Sequence, residues 1–305
     1  MIIYWFLFGV GSVLGGAGLT PFFDAPPTVA PQVALAPAPV VSAVPTAVPA
    51  SEPDTTAARP PAPSTTANDR EALRLPVPPR PQRVTDRSAP GLTLNTPTAF
   101  GARLGQIYGG VNFQHRIRYA RWQDGVASGG AGLGDPSRWV GLDVTVTVLD
   151  TYTDFAEDKA LSWKLHRQFG TRWALAVGHE NMWHTSGTDG GSSRYAVASH
   201  VLLLPYDALS ALVVSVGVGN DRFLPESRFQ QREDGVNLFG SVAARVHPGM
   251  HIIANWTGQD LALGVSVTPF TQIPLVFTPA LVDLTGTAGD GVRFSASMGM
   301  ALTLW

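Results

Sequence analysis

The chain has no cysteine in its 305 residues, which excludes disulfides and thiolate metal sites. Charge is scarce as well, at 14% against 45% hydrophobic residues, where about a quarter charged is usual for a water-soluble protein. Much of the folded surface is therefore expected to face something other than water. Basic excess is missing too: the formal charge is -2 and the pI near 6.4, which argues against a nucleic-acid binder. The seven histidines show no regular metal-ligand spacing such as H-E-x-x-H, so no metal and no cofactor is expected.

The first 23 residues lack any charged side chain, and Ile2 to Leu14 are strongly apolar before the small residues Gly15, Gly16, Ala17 and Gly18. This order reads as an export signal, although the positive n-region is missing and the first basic residue is Arg59. An uncleaved membrane anchor over 1–23 is the competing reading, weakened by glycines at 9, 11, 15, 16 and 18. From Pro21 to Pro90 the chain carries 17 of its 25 prolines among Ala, Val, Thr and Ser. Such a composition lacks both backbone donors and surface to bury, so 24–100 is expected to be a disordered Pro/Ala-rich linker. Its basic end, Arg70 to Arg87, is a solvated tail or a contact for acidic cell-wall polymer or anionic headgroups.

Beyond about Leu104 no stretch with helical period stands out, and alternation takes over. The cleanest run is the last: Val292, Phe294, Ala296, Met298, Met300, Leu302 and Leu304 alternate with Arg293, Ser295, Ser297, Gly299, Ala301 and Thr303. Successive side chains of a strand point to opposite faces, so this run asks for an apolar medium on one side and a polar or packed interior on the other. Its length exceeds the five or six residues common in soluble strands and suits a membrane-crossing strand of about 9 to 11. Val140 to Val148, and a hairpin from Leu161 to Val177 turning at Gly170, repeat the pattern. So do 195–204, 212–219, 236–246, 251–257, 261–268 and 273–284.

The obvious strands number eleven, whereas single-chain bacterial barrels have an even number. The glycine-rich run Val126 to Gly134 supplies the twelfth, with glycine suiting a crowded lumen. Turns then sort into a short set (135–138, 170, 205–209, 247–250, 269–273) and a long set (151–159, 181–193, 220–235). The alternation thus predicts an all-β fold: an antiparallel up-and-down transmembrane barrel of about twelve strands over 101–305, closed by pairing Val292 to Leu304 with Gln106 to Gln114. Trp139, Trp173 and Tyr195 at strand starts, with Tyr119, Trp122, Tyr152, Trp183 and Tyr206 at strand ends, are expected at the headgroup level.

Residues from about 104 onward, with the export-like start and the terminal Trp305, resemble a bacterial outer-membrane β-barrel protein. The resemblance is at the level of the class, and Trp305 departs from it by lying out of phase with Leu302 and Leu304. It implies the outer membrane of a diderm bacterium, a periplasmic N-terminal linker, lipid as partner, and lipopolysaccharide or cell-wall polymer as possible further partners. Gln114, Arg116, Arg118, Asp143, Lys164, His166, Glu180, Asn237, Arg245 and Arg293 are expected to face the lumen. Cations outnumber anions in this set, so an open path would lean towards anions; alternatively Asp143 and Glu180 pair with the cations in a plugged lumen. The expected role is passive, a narrow channel or an envelope structural protein, and not an enzyme. Two alternatives stand beside it: an outer-membrane enzyme using His184 with Ser186 or Asp189, and a secreted β-sandwich binding module.

Overall fold

The computed structural model describes residues 89–116, 118–119, 121, 123–149, 158–185, 191–206, 208–270 and 272–304. Twelve antiparallel strands close into one barrel in sequence order. They are β1 (Gln106–Gln114), β2 (Asp124–Gly134), β3 (Gly141–Val148), β4 (Lys159–Phe169), β5 (Trp173–His184) and β6 (Ser193–Tyr206), followed by β7 (Leu209–Gly219), β8 (Asn237–His247), β9 (Met250–Trp256), β10 (Leu261–Val267), β11 (Leu275–Val282) and β12 (Arg293–Thr303). The seam is β1 against β12, running from Gln106 opposite Thr303 to Gln114 opposite Ser295. This pairing removes the two free edges that an open sheet would expose. A closed barrel has no second sheet to pack against, which excludes the sandwich alternative.

Period-two alternation sets the wall. In β12 Arg293, Ser295 and Ser297 are buried inside, while Phe294, Met298, Met300 and Leu302 are exposed outside. Outward Val111, Phe113, Val146, Leu165, Leu175, Val177, Val216, Leu238, Ile252, Leu263, Phe277 and Leu281 continue the apolar belt around the molecule. The glycine-rich β2 is a full strand, paired with β1 and β3. Its glycines make room for the lumen's contents. Tyr108 lies flat across the inner wall to hydrogen-bond Thr145 at 2.7 Å, and a Cβ on the intervening Gly130 would stand 2.5 Å from the phenol.

Both ends of the barrel domain lie at the short-turn end, where Leu304 N donates to Gly105 O at 2.8 Å. The opposite end carries the connections 115–123, 149–158, 185–192, 220–236, 257–260 and 283–292. One of these contains a 3₁₀ turn (Asp221–Phe223) and a short helix, α1 (Glu226–Gln230). Trp139, Trp173, Trp183, Tyr206 and Tyr119 are exposed on the outside near strand ends. Tyr195 corrects the expectation for this group. It is buried inside, because it shares the face of Val197, Ser199 and Val201 and packs edge-on to Phe223 and Phe239. Trp122, Tyr152, Trp305 and the segments 1–23 and 24–88 lie outside the described residues.

Residues 89–100, counted by composition as the end of the linker, are ordered and buried within the barrel. The reason is local. After Pro90 the sequence becomes Gly-Leu-Thr-Leu-Asn-Thr-Pro-Thr-Ala-Phe, which supplies the apolar side chains and hydroxyls that the preceding Pro/Ala-rich stretch lacks.

Candidate functional site

The lumen is the candidate site, and the chain's own segment 89–103 fills it. At the short-turn end Gly91 N donates to Ser266 Oγ at 2.7 Å, and His251 Nδ1 donates to Gly91 O at 3.0 Å. Higher up, the Asn255 amide oxygen accepts from Leu94 N (3.1 Å), Asn95 N (2.8 Å) and Thr93 Oγ1 (3.0 Å). Arg222, on the long-loop side, donates to Asn95 O at 2.9 Å. The segment turns there and descends. Ala99 N donates to Ser199 Oγ at 2.9 Å, Lys164 Nζ to Phe100 O at 2.7 Å, and Ala102 N to Asp143 Oδ1 at 3.0 Å, before Leu104 N reaches Gly134 O at 2.8 Å. Wall side chains thus satisfy backbone groups that would otherwise be buried without partners.

Apolar packing completes the fit. Leu92, Leu94 and Phe100 are fully buried in one cluster with Ala174, Ala176, Tyr195, Val197, Val201, Val213, Phe239, Ala243 and Ile253. A reading of the inner face by its polar residues alone does not reach these inward alanines, valines and aromatics. The signal is present in the sequence: over Tyr195–Ala198 of β6 and Ala211–Val214 of β7 both faces are apolar, the pattern of strands covered on each side. Space for the segment comes from glycine at its exit. A Cβ on Gly132 would lie 2.6 Å from the Ala102 carbonyl carbon and the Arg103 oxygen.

The mouth at the long-loop end is capped by the β7–β8 connection. Phe223 is fully buried, stacked on Phe239 with centroids 4.3 Å apart. Asn237 Nδ2 holds the cap by donating to Phe223 O (2.9 Å) and Gly258 O (3.0 Å). Gly219 is required beneath it, since a Cβ there would meet the Phe223 ring at 2.3 Å.

Nine of the ten predicted lumen residues fall into four groups. Asp143, Lys164 and His166 form one buried polar set: Lys164 Nζ is ion-paired to the carboxylate at 3.0 Å, and His166 Nε2 stands 3.3 Å from it. Glu180 accepts from Arg222 Nη2 at 2.9 Å, so Arg222, not predicted, is its partner. Arg118 and Arg293 are buried near the long-loop end: Arg118 binds Glu226 and donates to Gln259 Oε1 (2.7 Å), and Arg293 donates to Asp283 Oδ2 (3.3 Å). Gln114, Asn237 and Arg245 sit on the inner wall apart from these sets, Gln114 and Arg245 buried. Arg116 differs from the expectation. It lies beyond the end of β1 and clamps the β11–β12 connection through Asp290 and the carbonyls of Gly291 and Val292.

Lys164, Arg118, Arg222 and Arg293 each stand within ion-pair distance of a carboxylate, which cancels most of the field that an unpaired set would project into the lumen. Outside the strands, burial pushes the Arg118 guanidinium down to about 10, with Glu226 acting in the opposite sense. Burial alone would raise the Asp290 carboxyl, but the hydrogen bond and charge of Arg116 hold it below its ordinary value. Burial raises Asp221, and neighbouring Asp234 adds to the effect.

Catalytic geometry is sparse. His179 and Glu180 face opposite sides of β5, His179 toward Ser192 Oγ (2.5 Å) and Glu180 toward Arg222. His184 Nδ1 contacts Asn181 O at 3.2 Å, and Ser186 and Asp189 lie outside the described residues. Among the described residues no cluster of three His, Cys, Asp or Glu is arranged to hold a metal ion.

No protein-family model matches the sequence, and no curated protein matches it. Among solved structures, the chain is similar to an outer membrane channel from Pseudomonas putida F1, at 11% sequence identity with a TM-score of 0.42, over 65% of this chain and 96% of that one.

Proposed function

We propose that the protein is an outer-membrane β-barrel of passive role, a channel held shut at rest by its own segment 89–103. Membrane insertion is supported by the belt of outward Val, Leu, Phe and Met around a closed wall, flanked by exposed Trp139, Trp173, Trp183 and Tyr206. Short turns belong to the periplasmic side in such barrels, so both ends of the barrel domain, and the Pro/Ala-rich segment before it, belong there.

The observation that carries the reading is how the segment is held. It joins no strand ladder; its backbone is bound by side chains of Ser266, Asn255, Ser199, Lys164 and Asp143. Those contacts can be released without breaking the wall. A barrel of eight strands fills its lumen with side chains alone, whereas twelve strands leave a bore that needs further filling. The same filling suits an envelope structural protein, and conductance separates the two. Full-length protein in planar bilayers should be silent, and a variant with residues 92–100 replaced by Gly and Ser should give conductance steps. Steps from the native protein would overturn the shut state; silence from the replaced variant would overturn the channel.

A further inference from the structure

Pairing register arranges the outward wall in rows. Arg167, Leu175, Ala198 and Val216 lie side by side across β4 to β7, and the next row towards the long-loop end is Leu165, Val177, Ala196 and Val218. In both rows β6 offers alanine where its neighbours offer leucine or valine. The wall is therefore thin along β6, and a concavity of about 510 Å³ opens there, walled by Leu175 and Val177 on one side and Val216 and Val218 on the other. Towards the short-turn end the alanines of this column give way to His200, stacked on Trp173 at 3.9 Å, and then to Leu202. Arg167 borders the groove, exposed, with its guanidinium carbon 5.3 Å above the Phe169 ring. Exposed Arg172 and Arg138 stand in the adjoining turns. Among the described residues no carboxylate lies within ion-pair distance of Arg167 or Arg172, while Arg138 faces Asp135 at 3.5 Å.

We propose that this groove is a binding site for one anionic phospholipid, its acyl chain laid along Ala196 and Ala198 and its phosphate held by Arg167. The inference rests on the membrane placement argued above, with the short-turn end in the periplasmic leaflet. A linear chain fits a trough one strand wide between branched ridges, and filling it regains dispersion contacts that a smooth lipid front would leave unmade. Trp173 marks the headgroup depth, where an indole sits half apolar and half wet. At that depth a guanidinium not tied to a carboxylate meets phosphate with paired, charge-assisted donors.

The test is native mass spectrometry of the full-length protein in mild detergent, titrated in parallel with phosphatidylglycerol, phosphatidylethanolamine and inorganic phosphate. One retained phosphatidylglycerol is expected, weakened about tenfold by Arg167→Gln and abolished by the paired Ala196→Leu and Ala198→Leu, which fill the trough. Equal retention of both lipids, indifference to Arg167→Gln, retention of phosphate alone, or a dimer that the leucine pair dissolves would each overturn the site. Heat-modifiable migration is recorded for every variant. Its loss in the native protein would overturn the membrane reading itself, whereas normal migration without lipid retention would overturn only the groove.

Discussion

Lys164 shows how a single side chain ties wall to lumen: its ammonium touches both the Asp143 carboxylate (3.0 Å) and the Phe100 carbonyl (2.7 Å). Breaking such a pair from one side is costlier than removing it, because an uncompensated charge stays buried. Asp143→Asn is therefore expected to cost about 3 to 5 kcal/mol, and the double change Asp143→Asn with Lys164→Met clearly less, read as urea midpoints of the folded barrel. An equal or larger cost for the double variant would show that the ammonium is not the stranded charge. At the rim the sign of a pH effect follows from Asp290. Its carboxyl is held below the ordinary carboxylate value when clamped by Arg116, so the freed loop binds more protons than the clamped one. The clamp is then complete above the ordinary carboxylate range and is lost as pH falls through the lowered value. Protease cleavage within 283–292 should rise on acidification in the native chain, and Asp290→Asn should be cleaved readily with no acid step.

At the scale of elements, β12 and β2 were legible for different reasons. Thirteen alternating residues, Val292 to Leu304, announce β12 directly, whereas β2 is legible only because an odd strand count would leave the two ends on opposite sides. The lumen segment was not legible. It forms no strand and has no period, and it follows a long proline-rich stretch without a boundary, so composition absorbed 89–100 into the linker. Polar inward residues were readable from parity, and Arg116 failed where parity no longer applies, past the strand end. Arg222 and Phe223 were missed because a loop has no alternation to mark which side chains turn inward. The β12 assignment makes a depth-graded prediction. Met298, mid-strand and outward, should tolerate lysine poorly, with Met298→Lys costing about 2 to 4 kcal/mol, while Leu304→Lys at the rim should cost about 0 to 1 kcal/mol. Equal costs from refolding into lipid vesicles would place both outside an apolar slab.

At the scale of the whole molecule, two kinds of structure share one space, and they should open independently. The wall is a continuous ladder of twelve paired strands whose amides are released only when pairing breaks. The lumen segment is held by side-chain hydrogen bonds and by Leu92, Leu94 and Phe100 in the inner apolar cluster, so it can leave by local opening. Leu92→Ala removes part of that cluster at a cost of about 2 to 5 kcal/mol, which applies to the segment's opening and not to the ladder. Hydrogen exchange of the inserted, full-length barrel should separate the two. Amides of Leu94, Asn95, Ala99 and Ala102 should exchange about 30-fold faster or more in the variant, while amides of β12 keep their native rates. If the strand amides accelerated in step with the segment, wall and filling would form one cooperative unit. The segment could then not act as a gate, because releasing it would unfold the barrel that it closes.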